Sequence, residues 1–195
     1  MLSHLRASIV MTVLFTLLLG LAYPLAMTGA AGLIFPGQAG GSLVHDASGQ
    51  LIGSSLIAQG FAKPEYLHPR ESAAGNGYDP MSSGGTNLGP LDQKLIDRIK
   101  GDAAAITKED GPGVIPPDAV TTSGSGLDPD VSPDNAYLQA NRIAAHRGEP
   151  VSDVLSVIDS ETHRPVLGFI GEPTVNVLAV NRALDARYPV AQPKA

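Results

Sequence analysis

The apolar positions of this chain follow two different patterns. Residues 7–27 read ASIVMTVLFTLLLGLAYPLAM, 21 positions without a charge, and Leu14, Phe15, Leu17, Leu18, Leu19 and Leu21 leave no polar face. At 1.5 Å per residue a helix of this length matches a hydrocarbon core of about 30 Å. Being apolar all round, it is read as crossing a bilayer and not as lying on its surface. Tyr23-Pro24-Leu25 is predicted to kink the helix or end it near the outer interface. Beyond it the apolar residues become sparse and periodic, interrupted by stretches rich in glycine, proline, asparagine and serine.

In that second part, Leu91, Leu95, Ile96 and Ile99 predict a helix following Pro90. Ser132 and Pro133 offer an N-cap and a first helical position for Ala136, Leu138, Ala140, Ile143 and Ala144, with Gly148 as the stop. Val151, Val154, Leu155 and Ile158 repeat at helical spacing. Residues 165–170 predict a short strand, while residues 175–185 fit a strand or a helix equally well. Residues 72–90 and 110–133 are too rich in proline and glycine for regular structure and predict loops, of the kind that carry binding surfaces. Strands and helices without βαβ spacing predict an α+β fold: one transmembrane helix followed by a single soluble α+β domain.

Charge orients this layout. Arg6 and the amino terminus are the only positive groups near the apolar run, so the positive-inside rule predicts a cytoplasmic segment 1–6, a transmembrane helix 7–27, a linker 28–52 and an extracytoplasmic domain 53–195. The location expected is the bacterial inner membrane, with the domain in the periplasm. A cleaved signal peptide is the alternative, since Thr28-Gly29-Ala30 offers small residues to a peptidase, and it would release a soluble binding protein or hydrolase. An apolar run longer than the roughly 7–15 residues of a signal core favours the retained anchor.

The part beyond the anchor holds 12 of the 13 basic residues and all 19 acidic ones, a formal charge of −7. Such a domain repels phosphate backbones, so nucleic acid is excluded as a partner class, and membrane lipid contacts only the anchor. The absence of cysteine excludes disulfides, thiolate nucleophiles and cysteine-ligated metals.

Catalytic motifs are lacking. No lysine follows a glycine, as a phosphate-binding loop requires, and Ser123-Gly124-Ser125-Gly126 sits in a proline-rich loop without the third glycine of a dinucleotide fingerprint. It is not the G-x-S-x-G of a hydrolase elbow either. His4, His45, His68, His146 and His163 are scattered, and Asp128-Pro129 reads as a turn before it reads as a cation ligand. The residues alone therefore point to an interaction protein, with no catalytic residue and no metal site.

Several motifs in order give the chain a resemblance. They are Tyr23-Pro24-Leu25; Gly53-Ser54 through Gln59 and Phe61; Arg70 with Ser72-Ala73; Asn87-Leu88-Gly89-Pro90; and Ser123-Gly124-Ser125-Gly126-Leu127-Asp128-Pro129 with Ser132-Pro133. Gln139, Arg142, Ala144, Arg147-Gly148 and Gly171-Glu172-Pro173 before Val175-Asn176-Val177-Leu178 complete the set. Together they resemble the C-subunit family of the Kdp potassium-transporting P-type ATPase nearly end to end.

The resemblance implies an accessory subunit, itself neither transporter nor hydrolase, that supports assembly. It implies a catalytic chaperone role, raising the ATP affinity of the hydrolysing subunit. The implied partners are a potassium-conducting membrane subunit, the ATP-hydrolysing P-type subunit and a small membrane subunit. No cofactor would be bound tightly, and ATP would be met in a transient ternary complex. A nucleotide contact is implied at Gln139 and at Ser123, Gly124, Ser125 and Gly126. Asn87, Leu88, Gly89, Pro90, Leu127, Asp128 and Pro129 become candidates for partner docking. The topology read from Arg6 places Gln139 on the side away from cytoplasmic ATP, so two further readings stay open: Gln139 as part of the polar face of its helix, and the glycine loop as a structural cap of that helix.

Overall fold

The computed structural model describes residues 2–46 and 48–190. The chain divides after Ser54 into two compact units. In the first, helix α1 (Leu2–Leu17) passes through one wide π turn (Leu18–Ala22) into α2 (Tyr23–Ile34). The span His4–Ile34 is long and apolar enough to cross a membrane. Its 31 residues amount to about 46 Å at 1.5 Å per residue, more than a bilayer core, and tilt absorbs such an excess.

The helix does not end at Tyr23-Pro24-Leu25. Pro24 lacks an N–H, and its ring crowds the carbonyl four residues back, which belongs to Gly20. The π turn precedes this point, where the Tyr23 N–H bonds to Leu18 O, five residues back. Widening the turn lets the helix carry a proline that would otherwise break it. Helical structure therefore extends seven residues into the segment read from sequence as a linker. Further along that segment, α3 (Pro36–Ala39) leads to an antiparallel hairpin of β1 (Leu43–His45) and β2 (Leu51–Ser54). Asp46 shapes its turn by accepting Ser48 N–H at 2.8 Å and Gln50 N–H at 2.9 Å.

The second unit contains α4 (Gln93–Asp110), β3 (Asp130–Val131), α5 (Pro133–Arg147), α6 (Val151–Ser160), β4 (Thr162–His163), β5 (Thr174–Asn176) and α7 (Val177–Arg187). The strands form one antiparallel sheet in the order β3-β5-β4. α5 follows its sequence signals closely. Ser132 Oγ accepts the Asn135 N–H at 3.1 Å, Pro133 opens the first turn, and Gly148 ends the helix in the left-handed region at φ 71°, where a side chain would be strained.

Ala136, Ala140, Ile143 and Ala144 of α5 pack against Val154, Val157 and Ile158 of α6, Val180 and Leu184 of α7, and Val175 of the sheet. Small alanines let α5 approach its neighbours closely, and burial of this apolar surface drives the packing. Residues 175–185 prove to be both alternatives in succession: β5 stops at Asn176, whose Oδ1 caps α7 by accepting the Ala179 N–H at 3.0 Å. The strand expected at 165–170 is instead a tight turn beyond the two-residue β4. Pro165 offers no ladder N–H, and Leu167 and Gly168, both at positive φ, reverse the chain.

Candidate functional site

Gln139 lies on the buried face of α5, and every polar atom of its amide is engaged. Oε1 accepts the His68 N–H at 2.8 Å and Arg142 Nη2 at 2.7 Å. Nε2 donates to His68 O at 3.2 Å and to Asn135 Oδ1 at 2.9 Å. The segment held in this way, residues 64–68, belongs to no strand or helix, so its backbone groups need partners from side chains. Arg142 Nη1 donates to Pro64 O at 2.6 Å and Tyr66 O at 2.9 Å. Arg147 Nε donates to Glu65 O at 2.8 Å while its guanidinium stacks over the Tyr66 ring at 5.2 Å. Asn181 of α7 accepts the Leu67 N–H at 2.7 Å and donates to Leu67 O at 2.9 Å. Four side chains from two helices thus replace a missing strand, and Leu67 is driven fully into the core.

Arg142 closes this node. Its side chain is only 3% exposed, and Nε donates to Asp110 Oδ1 at 2.8 Å across from the end of α4. The buried guanidinium is therefore paired with a carboxylate and saturated by carbonyls, which makes its burial tolerable. Asp118 holds the start of the same helix. It accepts the Ser132 N–H and hydroxyl, both at 2.8 Å, and Asn135 Nδ2 at 3.1 Å. Burial pushes the Asp118 carboxyl up, but these hydrogen bonds outweigh it and hold the group below its ordinary value.

A small cavity of about 130 Å³ opens beside Gln139, below the roughly 300–1,000 Å³ usual for ligand pockets. Glu71, Asp102, Glu109 and Asp110 contribute to its wall, an environment that repels a triphosphate. Among the described residues no cluster of three or more metal-ligating side chains occurs.

The glycine loop does not line that cavity, so Gln139 and residues 123–126 are not brought together there. It also does not cap α5, which Asp118 and Ser132 do. The loop docks instead on residues 72–85. Ser72 Oγ donates to Gly126 O at 2.6 Å, and Ser125 O accepts the Gly84 N–H at 2.8 Å and Ser83 Oγ at 3.0 Å. Within the loop, Ser123 Oγ accepts the Gly126 N–H at 2.9 Å and Ser125 Oγ the Leu127 N–H at 3.1 Å. Gly126 has φ 67°, and a Cβ there would lie 2.7 Å from both Ala74 N and Gly84 O. Glycine is required at this position by backbone shape and by close approach together. Gly124 and Ser125 form the exposed apex.

Of the other sequence candidates, Leu127, Asp128 and Pro129 continue this loop and residues 87–90 lead into α4. Asp128 Oδ2 accepts Arg70 Nη1 at 2.9 Å and Oδ1 accepts the Asp130 N–H at 3.1 Å, a turn element braced by an ion pair. Leu127 O accepts the Ala58 N–H at 3.0 Å, and Pro129 O the Val177 N–H at 3.1 Å. Asn87 takes φ 54°, Leu88 is half-buried, and Gly89 and Pro90 are exposed ahead of the Asp92 cap of α4. Sequence reasoning missed Asn181 and the work done by Arg142 and Arg147. The available signal was spacing: Asn135, Gln139 and Arg142 recur at i, i+4 and i+7, on a face that also carries the buried alanines.

Residues 5–186 match the family model described as KdpC, K+-transporting ATPase, c chain. The Potassium-transporting ATPase KdpC subunit of Caulobacter vibrioides strain NA1000 / CB15N is 64% identical over 190 residues, covering 97% of this chain and 96% of the relative. That of Beijerinckia indica is 54% identical over 195 residues, covering 99% and 98%. The protein of the same name from Rhodospirillum rubrum is 49% identical over 196 residues, covering 98% and 100%. With the family model matched almost end to end, the chain belongs to the KdpC family, the accessory c chain of the K+-transporting ATPase.

Proposed function

We propose that this subunit works by docking, without a nucleotide site of its own. Its apolar helix anchors it in the inner membrane, its second unit lies on the extracytoplasmic side, and it binds the potassium-conducting and ATP-hydrolysing subunits of the same complex. In this reading it raises the ATP affinity of the hydrolysing subunit indirectly, by stabilising an arrangement of the membrane subunits that favours nucleotide binding. The observation that carries the reading is the complete engagement of the Gln139 amide by His68, Asn135 and Arg142. A glutamine so occupied gains nothing from a ribose or base without breaking the clamp on residues 64–68.

Two further features support it. The cavity beside Gln139 is small and acidic, and the glycine loop gives two of its backbone carbonyls, those of Ser125 and Gly126, to residues 72–85. Equilibrium binding of a fluorescent ATP analogue to the purified, detergent-solubilised chain tests the reading. No saturable binding is expected, while adding the chain to the remaining complex lowers the KM for ATP. Saturable binding to the chain alone, abolished by Gln139→Leu, would restore direct nucleotide contact.

A further inference from the structure

We propose that the apolar turn at residues 165–171 is the surface by which the second unit seats in another subunit of the same ATPase, entering an apolar socket with a basic rim. This rests on the docking role given above and names its surface. Val166, Leu167, Phe169 and Ile170 are 66%, 79%, 76% and 54% exposed, four large apolar side chains within five consecutive positions. Elsewhere in this unit Met81, Leu91 and Val114 stand singly and Leu56 and Ile57 form a pair, and none of these groups matches the four side chains of the turn.

The turn is held in one shape. Val166 N–H donates to Ile170 O at 3.1 Å, Ile170 N–H to Val166 O at 3.0 Å, and Gly168 N–H to Pro165 O at 3.0 Å. Its base is rooted in the sheet, where Thr162 and His163 pair with Val175 and Thr174. Leu167 sits at φ 57°, a left-handed conformation that a leucine rarely adopts and that the paired bonds on either side enforce. Strain retained to project four apolar side chains into water has no use in the core of this unit. A fixed shape is rewarded by a complementary protein pocket, because the ordering cost is met before binding. A fluid bilayer gives no such reward.

Charge selects the same occupant. A groove of about 630 Å³ beside the turn is lined by Tyr137, Asp159, Thr162, Arg164, Gly168 and Pro173. Tyr137 donates to Asp159 Oδ1 at 2.6 Å, which fixes that carboxylate in the groove wall. Along the chain at the base of the turn, Asp159, Glu161 and Glu172 stand against Arg164 and Arg187, the latter reaching Ser160 Oγ at 3.5 Å, which leaves an excess of one negative charge. An acidic collar is repelled by the anionic surface of a membrane and attracted to a basic rim on a protein.

The test uses the whole complex and the absence of cysteine in this chain. Phe169→Cys carries a benzophenone maleimide, with Met81→Cys as the control, in purified complex whose other subunits lack accessible cysteines, reconstituted in lipid nanodiscs. Irradiation is expected to give an adduct between position 169 and another subunit and none from position 81. Adducts from position 169 only with lipid, only with a second copy of this chain, or with nothing overturn the proposal. Phe169→Asp is expected to reduce retention of the chain in the purified complex at least tenfold without moving its unfolding midpoint, since the side chain is exposed; unchanged retention overturns the proposal. A wild-type chain that fails to copurify with the other subunits contradicts the docking role itself, whereas copurification with crosslinks elsewhere contradicts only this surface.

Discussion

Residues 131–188 and residues 55–130 of the second unit are stabilised by different means. The first stretch packs through apolar periodicity: Ala136, Ala140 and Ile143 meet Val154, Val157, Val180 and Leu184 in one cluster. The other contains α4, in which no residue is fully buried, and long irregular segments. Its backbone is secured by side chains reaching out from the first stretch, Gln139, Arg142, Arg147 and Asn181 to residues 64–68, and by loop-to-loop bonds around Gly126. Hydrophobic burial is tolerant of substitution, whereas a buried hydrogen-bond network fails as a unit when one member is removed. The polar residues that look most like ligand contacts are the ones holding the irregular half in place.

The sharpest way to break this contrast is Arg142→Met. It leaves the Asp110 carboxylate and the carbonyls of Pro64 and Tyr66 without their donor, and losing one partner of a buried ion pair costs about 3–5 kcal/mol. Denaturant unfolding of the detergent-solubilised chain reads this loss. Ile143→Val, in the apolar half, is expected to cost only about 0.5–1.5 kcal/mol. Equal effects would dissolve the distinction.

Gly126→Ala tests the loop contact. With φ 67° and backbone atoms 2.7 Å from the new methyl, the loop has to move away from residues 72–85 at a cost of about 1–3 kcal/mol. Hydrogen exchange is expected to quicken at the Gly84 and Gly126 amides and to stay unchanged in α6.

A pH-dependent effect concerns Asp118. Its folded pKa is lowered, so its contribution is fully present above the ordinary value near 3.8 and is lost as pH falls through the lower folded value. Asp118→Ala is expected to cost about 1–2 kcal/mol at neutral pH, as loss of a helix cap does. The difference from the unsubstituted chain shrinks below pH 4 in pH-dependent unfolding curves. A cost that is constant with pH would show that the charge plays no part.

The legible parts of the fold were those written in local pattern. The Ser132-Pro133 start and Gly148 stop of α5, the stripe of α6 and the long apolar N-terminal helix all act within a few residues of themselves. The clamp on residues 64–68 leaves no such trace, because Gln139 and His68 are 71 positions apart and Asn181 and Leu67 are 114 apart. Proline acted differently at two places. At Pro24 the helix does not end but continues through a π turn, and at Pro165, where no ladder N–H is available, a turn replaces the expected strand. At the candidate site the sequence picked out Gln139 and the glycine loop as special without showing that the Gln139 amide is turned inward or that the loop is pinned to residues 72–85.

The central claim is that the second unit, with Gln139 and the glycine loop, lies outside the membrane and acts there by docking. Ser125 is exposed at the loop apex, and the chain has no cysteine of its own, so Ser125→Cys gives a single thiol whose side of the membrane can be read directly. A membrane-impermeant thiol reagent applied to intact spheroplasts is predicted to label it fully, with no gain on lysis. Labelling only after lysis would place the loop in the cytoplasm, within reach of ATP, and would contradict the account.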